Sequence, residues 1–313
     1  MQTFEVSEPY IDINCGLSES PFWEEKANIL RFVDIVDKAV YRVDLDKGPS
    51  SLRKTVYESS ISITADLASS EDSFIFGGKY GIGVASKDSS EMKYIKPFWS
   101  EEEIRDGKDR RMRANDGAVD SKGRFWSSAQ CDPEVTKFAP EAVLFRLDLD
   151  GGIHRVLTGL TIPNGMSWSQ DDKTLYFTDT SDGVIYAYDF EAESGDISNK
   201  RVFFRVEEEG RGPDGHVQDE HGNLWVAIWG SWKVVRISPE GQVTAEIRVP
   251  TRCPTAVAFA GEDVYITSEA EQEPEKYPDS VRFQGCVFKC HVGVKGRLAN
   301  KAAYESIVPV LGV

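Results

Sequence analysis

Four oxygen-bearing side chains recur at one position of a repeated phrase. The phrase is clearest as RGPDGHVQDEHGNLWV (211–226), returns as IPNGMSWSQDDKTLYFTD (162–179) and RANDGAVDSKGRFWSS (113–128), and opens more loosely as LSESPFWEEKANILRFVD (17–34). At the turn before the first strand of each copy stand Glu19, Asn115, Asn164 and Asp214. Two carboxylates and two amide oxygens, if brought together, make a site for a hard divalent cation. Taken singly, an Asn or Asp before Gly is most often a turn former. The shared phase argues for more. The four residues are spaced 96, 49 and 50 apart, about two, one and one units of a repeat near fifty. A period of that size with several short strands per unit marks a radial β-array, in which the first strand of every unit faces a central channel.

The elements that must position these residues follow from the same repeat. Strands ILRFVDI (29–35) and AVYRVDL (39–45) build unit one, and 62–86 builds unit two. There the phase position falls near Ala65 and Asp66, with Ala65 the better fit, so unit two is expected to supply no ligand. The charged stretch 87–112 reads as a surface excursion. Unit three has RFWSSA (124–129), a long loop (130–142) expected to overhang the channel mouth, and VLFRLDL (143–149). Unit four has TLYFTDT (174–180) and VIYAYDF (184–190), and unit five NLWVAIW (223–229) and KVVRISP (233–239). Unit six is TAVAFAGEDVYITSE (255–269), an acidic insertion (271–280) and GCVFKCHVGVKG (285–296). Residues 1–16 read as an entering strand that completes the last blade. The expected fold is all-β: a single six-bladed β-propeller domain over 1–313, with a metal site in the central channel.

Composition narrows the function. A net charge of −16 leaves little to neutralise phosphates and argues against nucleic acid. Five cysteines without paired spacing read as reduced thiols, and four histidines argue against a His-rich metal site. The opening MQTFEVSEPYIDINCG lacks the basic and apolar regions of a secretory leader, and no apolar run approaches the roughly 18 residues of a membrane span. A cytoplasmic protein with no membrane association and no obligate protein partner is expected.

The segments LSESPFW, RANDGAVDSKGRFW, PNGMSWSQDDKTLYFTD, IYAYDF, PDGHVQDEHGNLWVAIWGSWKVVRI and GCVFKCHVGVKG, in that order, resemble the senescence marker protein / regucalcin / gluconolactonase / luciferin-regenerating-enzyme family. The resemblance implies a six-bladed propeller with one divalent metal in its channel, in most members a hydrolase of sugar lactones. It places the metal ligands on Glu19, Asn164 and Asp214, and substrate contacts on Arg113 and Asn115. It gives Asp214 the further role of base or proton shuttle, which a metal-bound carboxylate of low pKa performs poorly. All-oxygen ligands favour calcium or magnesium, while zinc and manganese stay open. One departure concerns the pocket: where many members have Gly-Thr-Met, this chain has Ser128-Ala129-Gln130, followed by Cys131. Gln130 is therefore a candidate substrate contact, and preference for a particular aldonolactone does not carry over. Trp229 and Trp232 are placed to narrow the channel mouth, Cys131 reads as pocket wall or plain loop, and His216 reads chiefly as packing.

The expected activity is thus metal-dependent hydrolysis of a lactone or related cyclic ester by metal-activated water. No Gly-x-Ser-x-Gly elbow competes with it. Two alternatives remain: a non-catalytic calcium-binding propeller, and an isomerase or cyclase using the same metal pocket.

Overall fold

A computed structural model of the chain describes residues 1–304. Six sheets, antiparallel but for one added edge strand, follow one another along the chain, each built outward from the strand nearest the channel. The innermost strands are Ser18–Glu24, Ile61–Leu67, Met112–Val119, Pro163–Trp168, Gly212–Gln218 and Pro254–Ala260. The six-bladed propeller read from the repeat is the observed architecture.

Burial explains which strands the sequence announces. Second strands such as Phe125–Cys131 and Leu224–Trp229 lie between neighbouring blades and are covered on both faces, so they are nearly continuous apolar runs. Outermost strands such as Arg53–Val56 and Asp196–Arg205 are largely exposed and polar. The stretch 87–112 shows the consequence. It is not a plain excursion, because it contains the outer strand of blade two, Met92–Pro97. Two short helices, Glu101–Arg105 and Lys108–Arg111, follow it.

The core is a ring of apolar clusters between adjacent blades. Between blades three and four, Trp126, Leu144, Trp168, Leu175, Phe177 and Phe190 pack together, with Trp126 edge-on to Trp168 at 5.7 Å. Between blades one and two an apolar cluster that includes Val33, Val40, Phe74 and Phe76 stands beside a buried ion-pair group. Arg31 is fully buried between the rings of Phe22 and Phe74, and its Nη1 donates to Glu24 at 2.7 Å and Asp66 at 3.0 Å. Lys87 joins the same two carboxylates.

Closure of the ring differs from expectation. Gln2–Glu5 does not complete the last blade: it adds a fifth strand to blade five, parallel to Val243–Arg248. Residues 10–15 meet blade six, a sheet of three strands: Ile11 bridges Val287, Tyr10 N donates to Val287 O and Cys15 N donates to Gly285 O. The tail then crosses the face opposite the ring of site residues. Gly296 pairs with Asp219 of blade five, Arg297 Nη1 donates to Trp168 O of blade four, and Ala302 pairs with Leu67 of blade two. Tyr304 Oη accepts from Phe125 N and donates to Leu147 O in blade three.

Candidate active site

A register shift near the start of each inner strand positions the site. It falls between Glu19 and Phe22, Ala114 and Gly117, Pro163 and Met166, Pro213 and His216, and Pro254 and Val257. Such bulges leave residues unpaired and turn their side chains out of the sheet's alternation. Here they aim Glu19, Asn115, Asn164, Asp214 and Thr255 at one end of the channel. In blade two the shift lies between Ile61 and Ile63, so the equivalent residue is Ser62, not Ala65. Ala65 lies toward the other end, and Asp66 belongs to the buried ion-pair cluster. Glycine follows Asn164 and Asp214 because nothing larger fits. A Cβ on Gly165 would lie 2.5 Å from His216 Nδ1, and one on Gly215 2.6 Å from the Ala256 Cβ. Upstream, Asp34 accepts from Gly16 N and Leu17 N, and Asp179 from Thr161 N and Ile162 N. The two carboxylates thus fix the backbone at matching positions before Glu19 and Asn164.

All six residues expected in the site (Glu19, Arg113, Asn115, Gln130, Asn164 and Asp214) line one cavity of about 920 Å³. A hydrogen-bond chain orders them. Arg113 Nη1 donates to Asn115 Oδ1 at 2.9 Å and Ala114 O at 2.7 Å. Asn115 Nδ2 donates to Asn164 Oδ1 at 3.0 Å and Pro163 O at 2.9 Å. Asn164 Nδ2 donates to Thr180 Oγ1 at 2.8 Å, which donates in turn to Pro213 O. Arg113 also lies 3.9 Å from Asp132, whose other oxygen receives Lys79 Nζ at 2.6 Å. Asp214 Oδ1 and Gln130 Oε1 are buried and have no partner.

This floor crowds several buried acids around one buried guanidinium, Arg113. Burial and the neighbouring Asp116 push the Glu19 carboxyl up to about 8, despite Ser20 N and Arg113. Burial, followed by Glu19, Asp116 and Glu269, holds Asp214 well above the usual carboxylate range. Glu19, Asn164 and Asp214 offer two carboxylates and an amide. Among the described residues no group of three or more His, Cys, Asp or Glu is placed to hold a metal. The two-carboxylate set nevertheless suits a hard cation, which would satisfy Asp214 Oδ1 and neutralise the crowded acids.

Several wall residues lie outside the repeat phase. Glu269 accepts from Trp229 Nε1 at 2.7 Å and Gln272 Nε2 at 3.1 Å, beside the cavity. It follows the second strand of blade six, Asp263–Ser268, and only the run of acids at 269–275 could have drawn attention to it. Lys79 and Asp132 come from turns between strands and carry no sequence signal. Of the aromatic pair, Trp229 lines the cavity and Trp232 does not. Cys131 is neither pocket wall nor loop: it is buried in the core at the end of Phe125–Cys131. The loop after that strand does overhang the mouth, with Pro133, Glu134 and Phe138 on the cavity wall. His216 packs toward the far end, its Nε2 3.0 Å from Ser167 Oγ, and burial lowers its pKa to about 3.

Residues 17–270 match the family model described as the SMP-30/Gluconolactonase/LRE-like region. The chain belongs to this family. It is 31% identical to regucalcin of Bos taurus over 296 residues, covering 90% of this chain and 93% of the relative. It is 30% identical over 271 residues to the Bacillus subtilis protein named "Putative sugar lactone lactonase YvrE", covering 85% and 87%. A calcium-binding regucalcin structure from Agrobacterium tumefaciens superposes with a TM-score of 0.86 over 96% of this chain and 99% of that one. At 20% identity that likeness carries the fold alone.

Proposed function

We propose that the chain is a metal-dependent hydrolase of lactones or related cyclic esters. The observation carrying this reading is the unpartnered, buried Asp214 Oδ1, which shares a cavity floor with Glu19 and Asn164 beside Arg113, anchored through its Nη1. Glu19, Asn164 and Asp214 would hold the divalent cation; donor hardness favours calcium or magnesium, and calcium is the ion this reading adopts. Bound there, such an ion supplies polarisation of a carbonyl and acidification of water. The relatives named for regucalcin and lactonase point the same way.

The chain's own residues do the rest. Arg113 has guanidinium nitrogens beyond Nη1 to donate to a ring hydroxyl or to the oxygen that gains charge as the ester carbonyl is attacked. Asn115 holds both Arg113 and the oxygen of Asn164 in place, and Gln130 Oε1 is free to accept a substrate hydroxyl. Asp214 is the candidate acceptor of the attacking water's proton. The reading includes a single domain, a small-molecule substrate, no nucleic-acid partner and a cytoplasmic location. The five cysteines are free and buried, and no helix among the described residues is long and apolar enough to cross a membrane.

The test is a panel of lactones assayed with and without chelator. Turnover of at least one lactone that chelator abolishes and calcium restores supports the reading. Tight calcium binding with no turnover of any lactone moves it to a binding propeller or to isomerase chemistry. If Asp214→Asn keeps both metal and turnover, Asp214 has no part in the proton transfer.

A further inference from the structure

The cavity has two unlike halves. Its floor is the polar ring of Glu19, Asn115, Asn164 and Asp214, with Arg113 and Gln130. Its rim is apolar. Val36, Tyr80 and Phe138 line the mouth while remaining 43%, 46% and 44% exposed, and Val135, 58% exposed, shares a loop with Phe138. The other exposed large hydrophobics of the described residues are Val56, Val202 and Val243 on outer strands, Ile104 on a short helix, Leu149 in a turn, Met1 at the first position and Leu298 in the tail. Isolated apolar side chains at a surface need no explanation, but a set gathered at the mouth of a cavity marks a contact for a ligand.

The rim is built rather than loose. Lys79 ties the turn carrying Tyr80 to Asp132, at the base of the loop carrying Phe138. That loop is closed by Val135 N and Thr136 N donating to Asp132 O, and Glu134 N donating to its side chain. Tyr80 is braced edge-on against Tyr94 at 5.6 Å. Size agrees. At about 30 Å³ per water-sized group, 920 Å³ has room for roughly thirty such groups, whereas a hexonolactone has about a dozen heavy atoms. A sugar lactone would satisfy the floor and leave the rim in water.

We propose that the preferred substrate is amphipathic: a lactone ring bearing an aryl or medium-chain alkyl substituent. The ring sits on the polar floor and the substituent lies against Tyr80, Phe138 and Val36. The choice of ring rests on the lactonase reading. The apolar subsite does not.

The experiment compares a hexonolactone with a γ-lactone carrying a phenyl or hexyl group. It uses the calcium-loaded full chain and the variants Phe138→Ala and Tyr80→Ala, with Val56→Ala as an exposed control away from the mouth. Binding of the matching lactam, whose amide resists hydrolysis, is measured in parallel by equilibrium dialysis. Expected are a kcat/KM at least tenfold higher for the apolar lactone and a loss of about tenfold for that substrate in each rim variant. Turnover of the hexonolactone should change less than twofold, and Val56→Ala should behave as wild type. Equal use of both lactones with inert rim variants overturns the inference and leaves the lactonase reading standing. Failure to hydrolyse any lactone, with the lactam bound and weakened about tenfold by the rim variants, overturns the reaction and supports the subsite. Neither hydrolysis nor rim-dependent binding overturns both.

Discussion

Replacing Asp214 by Asn should have opposite effects on stability in the absence and presence of calcium. Without metal, Asp214 Oδ1 is a buried acceptor with no partner, crowded by Glu19, Asp116 and Glu269. Leaving such a group unsatisfied costs about 1–3 kcal/mol, more when it is charged. Asn keeps an oxygen there but has no charge to bury or to be repelled by Glu19, Asp116 and Glu269; because proton uptake already relieves part of the wild-type cost, the gain on substitution is about 1–2 kcal/mol in chelator. At roughly 2–4 °C per kcal/mol, the variant should melt about 2–8 °C above wild type. The pH sign is fixed. A carboxyl held above its unfolded value gives stability that is complete below the unfolded pKa and is lost as pH rises through the folded one. The variant's advantage should therefore widen as pH rises across that window. With calcium at a hundred times its dissociation constant, wild type gains about 2.7 kcal/mol and the variant loses most of this response. Scanning calorimetry in chelator and in calcium reads both arms. A variant that melts below wild type in chelator, yet keeps the full calcium shift, would refute the reasoning.

Three further outcomes follow from particular contacts. Arg113→Lys loses the planar fork and should lower lactone kcat/KM by about ten- to a hundredfold with the calcium-induced melting shift intact, measured by steady-state kinetics beside calorimetry. Burial would raise the Glu24 carboxyl, but Arg31, Arg42 and Lys87 outweigh it and pull the value to about 2. Its contribution, on the order of 3 kcal/mol, should be present above the unfolded value near 4.5 and lost as pH falls through 2. Glu24→Gln should consequently be less stable than wild type at pH 7, with the gap closing toward pH 2 in urea titrations. Tyr304→Phe removes the hydroxyl that joins Phe125 N to Leu147 O and should cost about 1–2 kcal/mol in urea unfolding, without changing calcium binding.

The floor of the site was legible because its residues share a phase in a structural repeat, and covalent spacing alone brings Glu19, Asn164 and Asp214 to one end of the channel. Middle strands were legible for a related reason: burial on both faces makes LWVAIW a continuous apolar run. Outer strands such as Met92–Pro97 face water and resemble loops in composition. Gln2–Glu5 pairs in parallel with a segment over two hundred residues away, and no turn residue announces such pairing. Blade two was misplaced by three residues because its bulge, at Ser62, carries no Gly. Glu269, Lys79 and Asp132 reach the cavity from strand ends and turns, where the repeat imposes no residue type. The apolar residues of the mouth were likewise invisible, since Tyr80 and Phe138 come from different blades and line one cavity only in the folded chain.

A diffraction experiment on crystals grown in excess calcium tests the central claim most directly. One ion should appear at the mouth end of the channel, with oxygens of Glu19, Asn164 and Asp214 at about 2.3–2.6 Å. A channel floor without an ion at saturating calcium, or an ion bound by other side chains, would contradict the account.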